Sequence, residues 1–265
     1  MQRSGLFWGV ALSLVGVLLL LNTLGIIRVD VWGLIWPSVL ILIGLSILWG
    51  AVTRPRRDEA QQVAIPLDGA SKADVRIGFG AGRLVVNGNA GATEIASGTV
   101  EGGFDYQTSR DGDTLKVRLR NPVEEWWPFP WMGGGHRREW TLGLNNQVPL
   151  TLDIGAGASE SLLDLSNVRV TDLKLDVGAS NAELTLPGNA GFTKVGINAG
   201  AASVSIRVPA GVAARVRFRG GAASFSADQA RFPRAGKVYQ SADYDSAPNK
   251  VDIHVDAGAG SVEVR

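Results

Sequence analysis

The chain of 265 residues has no cysteine, which excludes a disulfide framework, a thiolate metal site and a cysteine nucleophile. Histidine is scarce. His136 and His254 are the only two and are far apart, so no metal site with clustered ligands is expected. His136 is expected in a loop and His254 on an exposed strand. An excess of charge of one sign is also missing. The 26 Lys and Arg nearly balance 25 Asp and Glu, for a net charge of +1, and no basic stripe marks a nucleic-acid partner. Chemical motifs are absent as well. Gly236-Lys237 lacks the upstream glycine and the hydroxyl residue of a phosphate-cradling loop, and Arg83 stands where a third glycine would follow Gly78 and Gly80 in a dinucleotide fingerprint. No Gly-x-Ser-x-Gly nucleophile elbow occurs. Calcium-binding β-rolls repeat an Asp at a fixed place, whereas Asp153, Asp164, Asp172 and Asp176 read as solvated strand or turn positions. The expectation is a protein without catalytic residues, metal or cofactor.

What the chain does have is glycine, 34 residues of it, and a recurring phrase. Gly200-Ala-Ala-Ser-Val-Ser-Ile206 reappears as Gly221-Ala-Ala-Ser-Phe-Ser226. Looser copies begin at Gly80, Gly178 and Gly258, and one at Gly155 falls out of step afterwards. The consecutive copies at 155, 178, 200 and 221 are 23, 22 and 21 residues apart. A period of this size signals stacked units, each too small to bury its own apolar face. Within a period the apolar residues alternate. Leu173, Leu175 and Val177 point one way and Lys174 and Asp176 the other, which is the strand signal. Pro187-Gly188-Asn189, Pro209-Ala210-Gly211 and Arg219-Gly220-Gly221 supply turns. Each repeat reads as two short strands and two turns, with glycine giving positive φ and close backbone packing. The fold expected is an all-β repeat domain, a β-solenoid-like stack of about 22-residue repeats. An antiparallel sandwich with Gly-rich hairpins is the alternative. The repeat glycines expected to be structural are Gly80, Gly155, Gly178, Gly200, Gly221 and Gly258.

The first fifty-odd residues are of another kind. Gly5 to Ile27 and Trp32 to Val52 carry no charge, and each is long enough to cross a bilayer core of about 30 Å. Arg28 and Asp30 lie between them, so residues 1–53 read as a transmembrane helical hairpin with spans at about 5–27 and 32–52. Trp32, Trp36 and Trp49 fall near the span ends, where indoles anchor to headgroups. Gly9, Gly16, Gly33, Gly44 and Gly50 either let helices approach closely or are merely tolerated. Arg3 before the hairpin and Arg54, Arg56 and Arg57 after it place both flanks, and with them the β-domain, on the cytoplasmic side. Residues 54–63 form a charged linker and residues 64–265 the β-repeat domain.

Strand-like runs at 74–78, 83–87 and 94–101 open that domain. A hairpin follows, from Phe104 to Thr108 and Leu115 to Leu119, with Asp111-Gly112 at its tip. Then a Trp/Pro-rich insertion occupies 121–140. It holds four of the chain's eight tryptophans, and Pro122, Pro128 and Pro130 forbid a regular ladder. A loop this long is functional or disordered. Trp126, Trp127, Phe129 and Trp131 suit membrane or partner contact, with Arg137 and Arg138 favouring anionic headgroups. The other reading is that the aromatics fold back to cap the β-stack.

Gly5-Leu-Phe-Trp-Gly-Val-Ala-Leu12, Gly16 to Gly25, Trp36-Pro37 and Leu40-Ile-Leu-Ile-Gly44 resemble the transmembrane region of LiaI/LiaF-type bacterial proteins. The Gly-Ala-Gly-x-Val phrases resemble the toastrack-type β domain joined to such regions in LiaF-like and PspC-like proteins. The resemblance implies residence in the bacterial cell membrane and a part in envelope-stress signalling, where such proteins restrain a sensor kinase or scaffold a response. The chain departs from LiaF proteins in having one hairpin where they often carry more spans. The expected partners are the lipid bilayer and a sensor kinase or other membrane protein, with no nucleic acid. The alternative is a homo-oligomer, a self-assembling structural β-solenoid that stacks end to end through a last repeat left bare at Val262-Glu263-Val264-Arg265.

Overall fold

The computed structural model describes residues 60–121 and 138–265, together with Pro37, Leu40, Ile41 and Gly44. Those four are helical, and Leu40 and Ile41 are exposed. The remainder of the two expected spans lies outside the described residues. Among the described residues no helix is long and apolar enough to cross a membrane.

From Ala60 onward the described chain is all β. Its strands are β1 (Gln61–Pro66), β2 (Lys72–Asn87), β3 (Glu94–Val100), β4 (Asp105–Asp111), β5 (Thr114–Arg120), β6 (Glu139–Leu144) and β7 (Leu150–Asp164). They continue with β8 (Val170–Val177), β9 (Asn181–Thr185), β10 (Phe192–Arg207), β11 (Ala213–Ala227), β12 (Arg234–Ala235), β13 (Val238–Gln240) and β14 (Lys250–Val264). The hairpin expected around Asp111-Gly112 is β4–β5, and Gly112 has φ +57°.

The long strands are rungs with two limbs. In β2 the buried side chains are Ala73, Val75, Ile77 and Phe79, then Leu84 and Val86. The alternation is strict on each side but changes parity across Gly80-Ala81-Gly82. In β10, Val195, Ile197 and Ala199 give way to Ala202, Val204 and Ile206 across Gly200-Ala201. A strand that kept its parity would turn one limb's apolar side chains to solvent. The odd step at the glycine phrase turns the chain through a corner, so both limbs face one core. Ring contacts cross that core. Phe79 and Trp140 meet edge to face at 5.4 Å, and Phe218 stacks on Phe225, from the other limb of β11, at 4.7 Å.

Side by side, the rungs form a parallel stack. β2 pairs β7 in register from Ala73↔Leu150 to Val86↔Leu163. The next rung is split: β8 supplies its first limb and β9 its second, both lying between β7 and β10. β5 and β6 likewise flank the first and second limbs of β2. Antiparallel strands finish this end, with β4 on β5, β3 on β6 and β1 on β3.

The β-solenoid-like stack of about 22-residue repeats expected from the sequence is met only in part. β7, β8–β9 and β10 stack in chain order, but β14 then inserts between β10 and β11, parallel to both. The stretch Val262 to Arg265 is therefore interior and not a bare end. Val262 and Val264 are buried, and Arg265 exchanges backbone hydrogen bonds with Ile206 and Val208. Burying each of Val251, Ile253, Val255, Val262 and Val264 contributes about 1.5–3 kcal/mol. The outer rung is β11, whose first limb is covered by β13 only at Arg215 and Val216.

The segment Asp228–Asn249 makes the crossover possible. Phe232 is fully buried within it, Tyr239 packs on Phe225 at 5.0 Å, and Arg231 donates hydrogen bonds to the carbonyls of Val208 and Pro209 at 2.8 and 3.1 Å. The crossover thus covers part of the outer rung through its own side chains.

Candidate interaction surface

The corner is where this domain differs most from an ordinary sheet. Gly80, Gly157, Gly178, Gly200, Gly258 and Gly221 succeed one another up the stack. A Cβ on Gly157 would run into the carbonyl oxygen of Gly80. One on Gly178 would lie 2.9 Å from Gly157 O, and one on Gly200 3.1 Å from Gly178 O. A Cβ on Gly258 would lie 2.8 Å from Gly200 O, and one on Gly221 3.1 Å from Gly258 O. Rungs can pack this closely only without side chains at this row. The ladder position on β7 is held by Gly157 rather than by Gly155, whose Cβ would meet nothing nearer than 4.0 Å. Positive φ explains fewer of these glycines than expected. At the corner only Gly82 (φ +124°) and Gly260 (φ +111°) need it; Gly200 and Gly221 are glycine because of close approach. Beside the ladder runs an exposed row of Ala81, Ala158, Ala179, Ala201, Ala259 and Ala222.

An open groove of about 700 Å³ follows the ladder. Its floor is Gly157, Gly178, Gly200, Gly258 and Gly221, and Asp176, Asn198, Asp256 and Arg219 stand along one wall. Those four come from successive rungs in one register row. Asn198 Nδ2 donates to Asp176 Oδ1 at 2.5 Å, and Lys174 Nζ donates to Asp176 Oδ2 at 2.6 Å. Burial pushes the Asp176 carboxyl up, but the hydrogen bonds from Lys174 and Asn198 and the Lys174 charge hold it below the ordinary value. The hydrogen bond to Asp176 and its charge raise Lys174 in return.

The outer face of the first limbs is a grid of charges with basic margins. Lys116, Arg118 and Arg120 line β5, and Arg215, Arg217 and Arg219 line β11. Asp74, Asp153, Asp172, Asp176, Asp252 and Asp256 occupy the rungs between them. Arg217 Nη1 reaches Asp252 Oδ1 at 2.9 Å and His254 Nε2 at 2.9 Å, so His254 sits on the exposed strand face as expected. Exposed pairs of this sort contribute about 0–1 kcal/mol each. The sequence signal of the arginine series on β11 is the alternation Arg215-Val-Arg-Phe-Arg219. Among the described residues no group of three or more His, Asp or Glu is placed to hold a metal ion.

The Trp-rich insertion enters at this same corner. Asn121 N donates to Gly78 O at 3.3 Å, and Arg138 O accepts from Arg83 N at 2.8 Å. The rung made by β5 and β6 is therefore interrupted between Asn121 and Arg138, at the level where the other rungs carry the glycine phrase. Of the expected contact residues, Trp126, Trp127, Phe129, Trp131 and Arg137 lie outside the described residues, as does His136. Arg138 is described and is half-buried. Its backbone carbonyl occupies the space a Cβ on Gly82 would need, and its side chain lies against Gly102.

A two-limbed rack of parallel rungs with a glycine corner defines the class of this domain. Residues 54–207 match the model of the N-terminal domain of toast_rack, DUF2154, and the chain belongs to that family. Residues 6–48 match the LiaI-LiaF-like transmembrane region, so the β-domain is joined to a membrane-associated N-terminal region. A crystal structure of a candidate cell adhesion protein from Clostridium sporogenes is similar, with a TM-score of 0.70 at 19% identity over 79% of this chain and 99% of that one. At that identity the likeness concerns the fold. A candidate adhesin from Bacteroides fragilis aligns over 78% of this chain and 96% of its own at 9% identity, with a TM-score of 0.31. No curated protein matches the chain.

Proposed function

We propose that this chain is a membrane-anchored, non-catalytic sensor or scaffold of a bacterial envelope-stress response, acting through contacts of its toast-rack domain with protein or lipid. The observation that carries the reading is the union of a LiaI-LiaF-like transmembrane region with a toast-rack domain in one chain. A sensor kinase or another membrane protein is the partner the reading expects. Arg3, Arg54, Arg56 and Arg57 support a cytoplasmic β-domain. Trp126, Trp127, Phe129, Trp131, Arg137 and Arg138 supply the lipid or partner contact, because tryptophan prefers an interface that is apolar on one side and wet on the other. The test is a deletion strain challenged with a membrane-active antibiotic while an envelope-stress reporter is followed. Deletion alters the response, the full chain restores it, and a chain with 122–137 replaced by a Gly-Ser linker does not. A response indifferent to deletion refutes the reading. A C-terminal alkaline phosphatase fusion is inactive under this topology; an active one overturns the orientation.

A second reading, end-to-end assembly into a longer rack, is favoured by one observation. Beyond Val216 the outer edge of β11 has no strand partner among the described residues. An open edge is a template for another strand. Electron microscopy of the purified chain distinguishes filaments from discrete particles.

A further inference from the structure

β10 and β11 are joined by the short turn Val208 to Val212, yet they are not neighbours. β14 lies between them, paired with β10 from Phe192↔Lys250 to Ile206↔Val264 and with β11 from Ala213↔Lys250 to Ala227↔Val264. Every earlier step between Leu150 and Arg207 stacks in chain order. Nothing local separates β10 from β11, since both carry Gly-Ala-Ala-Ser at the corner, at 200 and 221. The two strands thus hold open a slot one strand wide, and β14 fills it from the far end of the crossover Asp228–Asn249.

The slot is selective. Opposite Gly200 O a Cβ would be held at 2.8 Å, so position 258 must be glycine. Position 260 adopts φ +111° with its would-be Cβ against Ala202 O, so it too must be glycine. The core side needs Val251, Ile253, Val255, Ala257, Val262 and Val264, all buried. Few strands satisfy two fixed glycines and this alternation together. β14 of a second copy satisfies all of them. We propose that the slot between β10 and β11 is a strand-exchange site through which two copies of this chain join, each lodging its β14 in the other. Such an exchange forms in the partner every contact the strand makes at home, so only the crossover must change course. This goes beyond the envelope-stress reading and uses interior strands, not the open edge of β11.

The absence of cysteine gives a clean test. Ser203 and Ser261 face each other on the exposed side of β10 and β14, their hydroxyl oxygens 3.2 Å apart. Full-length Ser203→Cys and Ser261→Cys variants carrying tags of different mass are co-expressed, and their membranes are oxidised with copper phenanthroline. Exchange yields a mixed disulfide-linked dimer, absent when either variant is expressed alone. Adding Gly258→Val to the Ser261→Cys copy, whose β14 must enter the slot of the Ser203→Cys copy past Gly200 O, removes the mixed product. Oxidation of the Ser203→Cys/Ser261→Cys double variant that locks only single chains, with no mixed dimer from the single variants, overturns the proposal. End-to-end stacking cannot mimic the positive result, because both positions are interior to the stack.

Discussion

Alanine substitutions along the corner ladder should destabilise the domain in the order of the space the structure leaves. At Gly157 the new methyl runs into Gly80 O, at Gly258 it falls 2.8 Å from Gly200 O, at Gly178 2.9 Å from Gly157 O, and at Gly200 3.1 Å from Gly178 O. Gly196 leaves open space, and Gly155 has its nearest atom at 4.0 Å. The obstacles are backbone carbonyls in a paired sheet, which cannot swing aside as a side chain would. Overpacking of this kind costs about 1–3 kcal/mol. Gly157→Ala sits at or above the top of that range and Gly200→Ala near the bottom. Gly260→Ala adds a left-handed φ, worth about a further 1–2 kcal/mol. Gly196→Ala, with room and ordinary φ, should be neutral or stabilising by about 0.4–1 kcal/mol, because it restricts the unfolded chain. Gly200→Val exceeds Gly200→Ala, since its two branches press on the neighbouring rung. The measurement is urea denaturation of segment 60–265, followed by circular dichroism near 217 nm. Equal midpoints for Gly157→Ala and Gly155→Ala would refute the ladder.

Other outcomes follow from single sites. Asn145 is buried, accepts hydrogen bonds from the amides of Gln147 and Val148 at 2.8 and 3.2 Å, and donates to Glu94 O at 2.7 Å. Asn145→Ala should cost about 2–4 kcal/mol by orphaning these groups, and an unchanged urea midpoint would show that water replaces them. Asp176 has a folded pKa below its ordinary 3.8, so its contribution is present above that value and lost as pH falls through the folded one. Asp176→Asn should therefore flatten the acid limb of the stability profile below about pH 4; an acid limb as steep as that of the wild type would dismiss the pair. If the insertion binds lipid, changing Trp126, Trp127 and Trp131 to Ser abolishes binding to anionic vesicles without lowering thermal stability, whereas intact binding with a lowered melting temperature identifies a cap.

Alternation was the most legible feature, because burial on one face writes itself directly into the order of side chains. Leu173-Lys-Leu-Asp-Val177 and the β4–β5 hairpin lie where the pattern and Asp111-Gly112 put them. Stacking order was legible only as far as Arg207. The phrases at 200 and 221 are interchangeable locally, and the choice between them is made by the core and by the crossover at 228–249, both non-local. The one sign was spacing, since the copy at 258 falls far outside the period of the others. Gly155 and Gly157 were equally good readings of Gly-Ala-Gly. Register decides between them, because Ile154 and Ala156 must both point inward, and the ladder then falls to Gly157. The role of the Trp-rich insertion was not legible, since its residues encode apolar surface without saying what covers it.

The rung made of β5 and β6 shows what covalent continuity contributes at the corner. Its limbs are interrupted between Asn121 and Arg138, yet β5 stays in register with Lys72 to Gly78 and β6 with Arg83 to Asn87. Each limb is held by its lateral neighbours, not by the residues that join it to its other half. The corner is thus a natural port for extra chain. Foreign sequence spliced at exposed Ala158, Ala201 or Ala259 would leave the rack at the same corner as Asn121 and Arg138, spaced by multiples of the strand separation of about 4.8 Å. The exposed alanines of this chain thus offer several sites at which displayed sequence could be changed without touching the buried alternation.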